Sequence, residues 1–332
     1  MGIWNLVNDG AGASFAFQSV NAAIATNTSY ILTTSFEGDT NSTGNLSLWL
    51  NGELKSSISG VGFLYAHSGD IGLGAMVDGS NFFSAAAGGD NYFFDGNIAE
   101  FVVYNLALVN AGRAILDNYL SAKYDIALVS GDIFSMDDDS AGNYDHDAAG
   151  IGQAISTDAF LDGRGSGFIG FSNPVSIDDN TYLGWGHNNG ALTWSNLSLP
   201  LGIDGQLDRQ WKSSQSGGTI GSLDISFDIS SFEPVGSFIY RILVDLNGDA
   251  VYSDDIPLPQ LPGGTANNIT FSQVDLPPNT TFTLGYVMML LPIELIDFQA
   301  IPSEHQVRVK WSTASELNND LFWVERSVDG AD

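Results

Sequence analysis

The segment 245–255 carries the residue types that bind a hard cation. Asp245, Asn247 and Asp249 stand at alternate positions, and the further oxygen donors are Ser253, Asp254 and Asp255. Ca²⁺ takes about 6–8 oxygen ligands at about 2.3–2.6 Å, so this spacing predicts a Ca²⁺ site. It differs from an EF-hand loop, because glycine stands at its fourth position rather than its sixth and its twelfth residue is Ile256. The alternative interpretation is a polar hairpin tip, since Asn-Gly-Asp is a common turn.

A second acidic segment offers a weaker candidate for the same ion. Its carboxylates, spaced less regularly than those of the first, are Asp137, Asp139, Asp145 and Asp147. Carboxylate oxygens of this kind also suit Ca²⁺.

The sequence gives little support for catalysis, and we predict no catalytic and no organic-cofactor residues. The four histidines, His67, His146, His187 and His305, form neither an H-E-x-x-H motif nor an i, i+4 pair. Cysteine is absent, which excludes disulfides, thiolate metal sites and cysteine nucleophiles. We therefore expect a protein that is not an enzyme.

Charge restricts the partners. The 332 residues include 10 Lys plus Arg against 39 Asp plus Glu, a formal net charge of −29. Such a surface repels phosphate backbones and anionic headgroups, so we expect no nucleic-acid partner. The longest apolar run, residues 287–293, is too short for a bilayer, and no membrane insertion is predicted.

Period-2 patterns dominate the chain and predict an all-β fold. Leu46, Leu48 and Leu50 alternate with polar or aromatic residues before Asn51-Gly52, a strong hairpin signal. The other predicted strands are 30–36, 98–104, 223–229, 238–244, 307–311 and 322–328. Helical spacing occurs only over Val109–Tyr124, with Asn110 as the expected N-cap and with Ile115 and Tyr119 expected to pack on the preceding sheet.

Three phrases carry a resemblance to a known fold family. LWLNGEL (Leu48–Leu54), DGNIAEFVVYNLAL (Asp95–Leu108) and ILDNYLSAKYDI (Ile115–Ile126) resemble the concanavalin A-like, laminin-G-like jelly rolls of bacterial surface proteins. The resemblance implies a β jelly roll, and its first strands are expected to be either missing from this sequence or divergent in it. Glycosidases share that fold, but the paired acids they need are absent, because Glu37, Glu53, Glu100 and Glu233 are isolated.

The rest of the chain resembles modules of proteins exported by type IX secretion. The second block is similar to an uncharacterised β-domain through YDHDAAGIG, LGWGHNNGALT, LDRQWKSSQSG and LVDLNGDAVYSD, which begin at residues 144, 183, 207 and 243. LPIELIDF, WSTASELNND and FWVERSVDG, which begin at residues 291, 311 and 322, resemble the first half of a fibronectin type III-like module. About 42 residues are too few for such a sandwich, so its strands are expected to lack their usual partners.

These observations predict an all-β protein with a jelly-roll sandwich (1–127), a second β-sandwich-like domain (128–289) and a truncated fibronectin-like module (290–332). The resemblance implies an extracellular or outer-surface location. The first functional hypothesis is adhesion, through a glycan or an extracellular protein ligand. The second is a structural spacer or a fibre subunit that contacts copies of itself. The third is a polysaccharide hydrolase.

Overall fold

The computed structural model describes residues 2–8, 13–19, 24–38, 43–62, 73, 94–165, 168–234, 238–249, 251–259, 261–265, 267–288, 295–314 and 321–324. The strands in chain order are β1 Gly2–Asn8, β2 Ala13–Ser19, β3 Leu32–Glu37, β4 Gly44–Leu50, β5 Glu53–Val61, β6 His146–Ile155, β7 Asp158–Phe160, β8 Asp162–Arg164, β9 Ile169–Ser172, β10 Thr181–His187, β11 Trp194–Ser195, β12 Gly205–Leu207, β13 Trp211–Ser216, β14 Leu223–Asp228, β15 Phe238–Asp245, β16 Pro262–Gly264, β17 Asn268–Val274, β18 Thr281–Met288, β19 Leu295–Ser303 and β20 Gln306–Thr313. Within these described ranges there is one α-helix, α1, over Asn110–Tyr124. The predicted all-β fold class is confirmed.

A β-sandwich is built from β6 to β18. Its larger sheet has the order β11-β12-β18-β13-β10-β6-β7, with β15 also paired to β18, and its smaller sheet has the order β16-β17-β14-β9-β8. Apolar side chains from both sheets form one core. In it Phe171 of β9 stacks on Trp185 of β10, with their ring centroids 4.1 Å apart. Each large apolar side chain buried this way contributes about 1.5–3 kcal/mol. This core fixes the strand ends that carry the polar sites.

The strands predicted at 223–229 and 238–244 are confirmed. Leu223, Ile225 and Phe227 alternate into the core, as their period of two requires. β15 is buried on both faces, because Ile242 and Val244 enter the main core while Leu243 packs with Ile203 and Tyr252. A strand anchored on both faces holds its last residue, Asp245, firmly in place.

The N-terminal part contains a β1-β2 hairpin and a three-stranded sheet in the order β3-β4-β5. The predicted hairpin turn is confirmed, because Asn51 and Gly52 have φ of 47° and 77° and join β4 to β5. Positive φ at both positions is the type I′ geometry that suits twisted strands. Leu46, Leu48 and Leu50 are buried. The jelly-roll resemblance and the domain boundaries stay predictions.

Helix α1 lies where it was predicted, but its cap and its packing differ from expectation. The N-cap is Val109 rather than Asn110, and the carboxylate of Asp158 accepts the backbone N–H groups of Asn110 and Ala111 at 3.0 and 2.9 Å. A carboxylate from β7 therefore satisfies donors that a local cap would otherwise take. No helix among the described residues is long and apolar enough to cross a membrane.

The helix joins two bodies of β structure. Ile115 packs with Phe134, Met136 and Ala148, so its main apolar contact is with the segment after the helix and not with the preceding sheet. Toward that sheet the helix presents polar contacts instead. Thr33 donates to Asp117 at 2.7 Å, and the guanidinium of Arg113 lies 4.7 Å from the Trp49 ring centroid.

The prediction of a strand at 98–104 is wrong. Residues 98–104 form no strand, and Phe101, Val103 and Tyr104 are at least half exposed. An alternating pattern makes a strand only where a neighbour offers ladder hydrogen bonds. Within the described ranges no strand pairs with this segment.

The C-terminal strands form an isolated hairpin. β19 pairs only with β20 among the described residues, and every residue of β19 is exposed. Residues 321–324, the start of the strand predicted at 322–328, have no regular structure, and 325–328 lie outside the described residues. Within the described part, these strands lack the partners of a sandwich.

Candidate functional site

The 245–255 loop is a compact turn closed by its own donors. Asp245 is 3% exposed, and its Oδ1 accepts the backbone N–H groups of Gly248 and Asp249 at 2.7 and 3.2 Å. Its Oδ2 accepts the hydroxyl of Thr281, on the neighbouring strand β18, at 2.9 Å. Asp249 in turn accepts the N–H of Val251 at 2.8 Å. The first and third predicted ligands thus serve the backbone of the turn.

The remaining groups of this loop are hydrogen-bonded within the loop or exposed. The Asn247 amide donates to Asp249 at 3.2 Å and to Asp254 at 3.0 Å. Asp255 accepts the N–H of Leu246, and burial together with the charges of Asp245, Asp254 and Asp249 raises its pKa. Ser253 is exposed. Among the described residues, no group of three or more His, Cys, Asp or Glu side chains is arranged to hold a metal ion.

The second acidic set divides into two parts. Asp139 begins an exposed 3₁₀ turn, Asp139–Ala141. Asp137 is half-buried, and desolvation, with the nearby charges of Asp132, Asp138 and Asp145, raises its pKa to about 6. Asp145 and Asp147 instead line a pocket of about 250 Å³ with side chains from three other elements. The pocket residues are Tyr119, Lys123, Asp145, His146, Asp147, His187, Asn189 and Arg209.

A β-bulge gathers three consecutive residues around this pocket. β6 and β10 pair Ala149 with Trp185 and then His146 with His187, so β6 has one extra residue in between. Asp147 lies in this bulge and has a φ of 48°. Gly186 is required opposite it, because a Cβ there would collide with the carbonyl oxygen of Tyr144. In a regular strand residues 145–147 would alternate between faces.

His187 is held in one tautomer and positions Asp147. Its ring is 3% exposed, and its Nδ1 accepts the backbone N–H of Asn189 at 2.9 Å. A neutral ring therefore carries its proton on Nε2, which lies 2.9 Å from Oδ2 of Asp147 and donates to it. Both ring nitrogens are occupied, so this histidine acts as a structural support for the carboxylate.

Arg209 forms the wall next to His187. Its Nε donates to the carbonyl of Gly190 at 2.8 Å, and one terminal nitrogen lies 3.4 Å from His187 Nε2. Desolvation lowers the pKa of Arg209, while the charge of Asp147 opposes that effect. The guanidinium and the carboxylate of Asp147 thus form a fixed donor and acceptor side by side.

The C-terminal half of α1 supplies the opposite wall. Lys123 donates to the Tyr119 hydroxyl at 2.7 Å and to Glu100 at 3.0 Å, and these contacts raise its pKa. Glu100 also accepts the hydroxyl of Tyr124 at 2.9 Å, and the hydrogen bond from Lys123 is the largest cause of its lowered pKa. Lys123 is thereby neutralised by a residue of the irregular segment 98–104.

His146 is the accessible ring of the pocket. Its side chain is 45% exposed, and its ring stacks on that of His187 with centroids 5.6 Å apart. Its Nδ1 lies 2.6 Å from Oδ1 of Asp145, but without the alignment of a hydrogen bond. The contact is therefore electrostatic, and it is fully attractive only when the imidazole is protonated.

Sequence reasoning found only part of this pocket. Asp145 and Asp147 were predicted as a weak cation site, whereas His187, Arg209 and Lys123 were not connected with them. One available signal was the Asp-His-Asp run at 145–147, which stands directly before the apolar part of a strand that enters the core. The remaining members lie more than twenty residues away in the chain, beyond the reach of local spacing.

Comparison with known proteins gives a match for part of the chain. A family model described as a domain of unknown function, DUF8202, matches residues 170–280. That segment begins within β9 and includes His187, Asn189 and Arg209, but not α1 or β6. No curated protein and no solved structure matches the chain.

Proposed function

We propose that this protein is a non-enzymatic binding protein of the cell exterior that recognises a glycan or an extracellular protein ligand. The observation that carries the proposal is the polar pocket between α1, the β6 bulge and β10. Convergent polar groups in a preformed concavity are typical of binding sites. The resemblance of the chain to modules of secreted surface proteins supports an extracellular location.

Catalysis has less support than binding. Glycosidases place two carboxyl groups on either side of the scissile bond. Asp145 immediately precedes β6 and Asp147 is its second residue, so the two carboxylates come from one three-residue stretch, and each lies against a histidine. An assay for reducing ends released from polysaccharides tests this point, and turnover that Asp147→Asn abolishes would overturn the non-enzymatic proposal.

The test of binding is an array of glycans and matrix proteins, probed with the wild-type chain and with Arg209→Gln. We expect binding that the substitution weakens, because Arg209 is the main fixed donor of the pocket. Arg308→Gln, at an exposed position of β20, is the matched control for loss of one cation. Absence of any binding by the wild type would overturn the proposal.

A Ca²⁺ cofactor in the 245–255 loop is part of the same proposal. Four carboxylates lie close together there, and burial, with a further contribution from the charges of the other three, raises the pKa of Asp255. A cation would need the exposed Asp249 and Asp254 to turn away from the Asn247 amide. Running the array with Ca²⁺ and with a chelator shows whether binding depends on the ion.

A structural role is the second candidate, and one observation favours it. The β19-β20 hairpin exposes Ile296, Phe298 and Trp311 by 64%, 51% and 40%. Exposed strand edges and apolar side chains invite contact with other chains. Sedimentation over a range of concentrations would show concentration-dependent assembly if fibre formation were the main role.

A further inference from the structure

The pocket's charges are already balanced, which restricts the ligand. Its lining contains two cations, Lys123 and Arg209, and two carboxylates, Asp145 and Asp147. Lys123 also lies against Glu100 just beside the pocket. The chain as a whole carries −29. An anionic ligand would therefore meet cations that are already neutralised, within a field that repels it.

The fixed groups of the pocket suit a pair of neighbouring hydroxyls. His187 orients Asp147 from one side, and the Gly190 carbonyl orients Arg209 from the other. A hydroxyl group both donates and accepts, so one can donate to the carboxylate while its neighbour accepts from the guanidinium. Hydrogen bonds to charged groups are among the strong ones, and preorganised partners lose little entropy on binding.

The aromatic residues that line the pocket and the pocket volume further restrict the ligand. Tyr119 and the exposed His146 line the pocket, and aromatic side chains of this kind can pack against the apolar C–H face of a small ring. The pocket volume of about 250 Å³ lies below the ~300–1,000 Å³ that encloses a drug-sized ligand. The space therefore suits a single small polyhydroxylated ring.

We propose that this pocket binds a neutral sugar ring through two adjacent hydroxyls, held by Asp147 and Arg209. The proposal rests on the binding function above and names its ligand class. His187 is a positioning residue, since both of its ring nitrogens are engaged within the protein.

Saturation-transfer NMR with methyl glycosides of neutral hexoses tests the proposal directly. The same experiment is run with the corresponding uronic acids. We expect neutral glycosides to bind at least about tenfold more tightly than the uronic acids. Asp147→Asn should weaken neutral binding by about tenfold or more, because a charged acceptor is lost. Arg209→Lys should do the same, because the planar fork is lost while the charge stays.

Asp162→Asn, an exposed carboxylate of β8, is the matched control and should bind like the wild type. Thermal unfolding of each variant identifies any that fails to fold. If Asp147→Asn does not fold, the binding measured with Arg209→Lys decides whether the proposal holds. Tighter binding of uronic acids would overturn the neutral-sugar proposal while leaving a glycan-binding function in place. Failure of every monosaccharide, with binding of a matrix protein on the array, would overturn this inference alone. Failure on both would overturn the proposed function as well.

Discussion

The two acidic regions of this protein use their carboxylates differently. In the 245–255 loop, Asp245 and Asp249 accept backbone N–H groups from their own turn. At 145–147, the carboxylates meet histidines, and His187 comes from a different strand. The first arrangement stabilises a local fold, whereas the second builds a pocket from distant parts of the chain. Acidic spacing alone therefore does not distinguish a closed turn from the wall of a pocket.

Removing Asp245 should have the largest effect on stability. Asp245→Ala removes the buried carboxylate that accepts two backbone N–H groups and the Thr281 hydroxyl, and at about 1 kcal/mol for each of these hydrogen bonds we expect a loss of about 3 kcal/mol in unfolding free energy. Urea denaturation measures it. The control is Asp254→Ala, which should lower the unfolding free energy by less than about 0.5 kcal/mol. Asp254 is exposed, and among the described residues its carboxylate accepts a hydrogen bond only from the Asn247 amide. Equal midpoints for the two variants would show that the loop does not depend on its buried carboxylate.

Calcium provides the second comparison. If the loop binds Ca²⁺ only when folded, a concentration of 100 times the dissociation constant adds about 2.7 kcal/mol. Thermal unfolding with Ca²⁺ and with chelator measures this effect on wild type and on a double variant, Asp249→Asn plus Asp254→Asn. That pair removes two charges and leaves Asp245 to close the turn. An unchanged wild-type midpoint would mean that the loop is only a polar turn.

The sequence predicted those parts of the fold that depend on local pattern. The alternation through Ile225 and Phe227 and the turn at Asn51-Gly52 need only period and backbone preference, and the structure confirms both. The 98–104 prediction failed because a strand also needs a partner, which local pattern cannot show. The helix cap failed for a similar reason, since Asp158 reaches α1 from 48 residues away. The pocket depends on a bulge at Asp147 and on side chains from α1 and β10, and no spacing rule brings these together.

Replacing Asp137 should change the stability least of the substitutions considered. The sign of that change distinguishes a buried carboxylate without a cation from one that binds Ca²⁺. Burial raises its pKa to about 6, above the value of about 3.9 expected in the unfolded chain. The folded state therefore holds the proton more tightly. The stability that this adds is fully present below about pH 4 and is lost as the pH rises through about 6. A two-unit shift corresponds to about 3 kcal/mol, which solvent screening of a half-exposed group reduces to about 1 kcal/mol.

Asp137→Asn should thus be more stable than the wild type by about 1 kcal/mol at pH 8, because it removes an ionised carboxylate from a poorly solvated place. At pH 4 the difference should vanish. Urea denaturation at both pH values measures it, with the exposed Asp139→Asn as the control for loss of one negative charge. Calcium reverses the expectation if this segment is a metal site, since an ion would stabilise the ionised carboxylate. Destabilisation of Asp137→Asn that appears only with Ca²⁺ present would therefore show that the second acidic segment, and not the 245–255 loop alone, binds the cation.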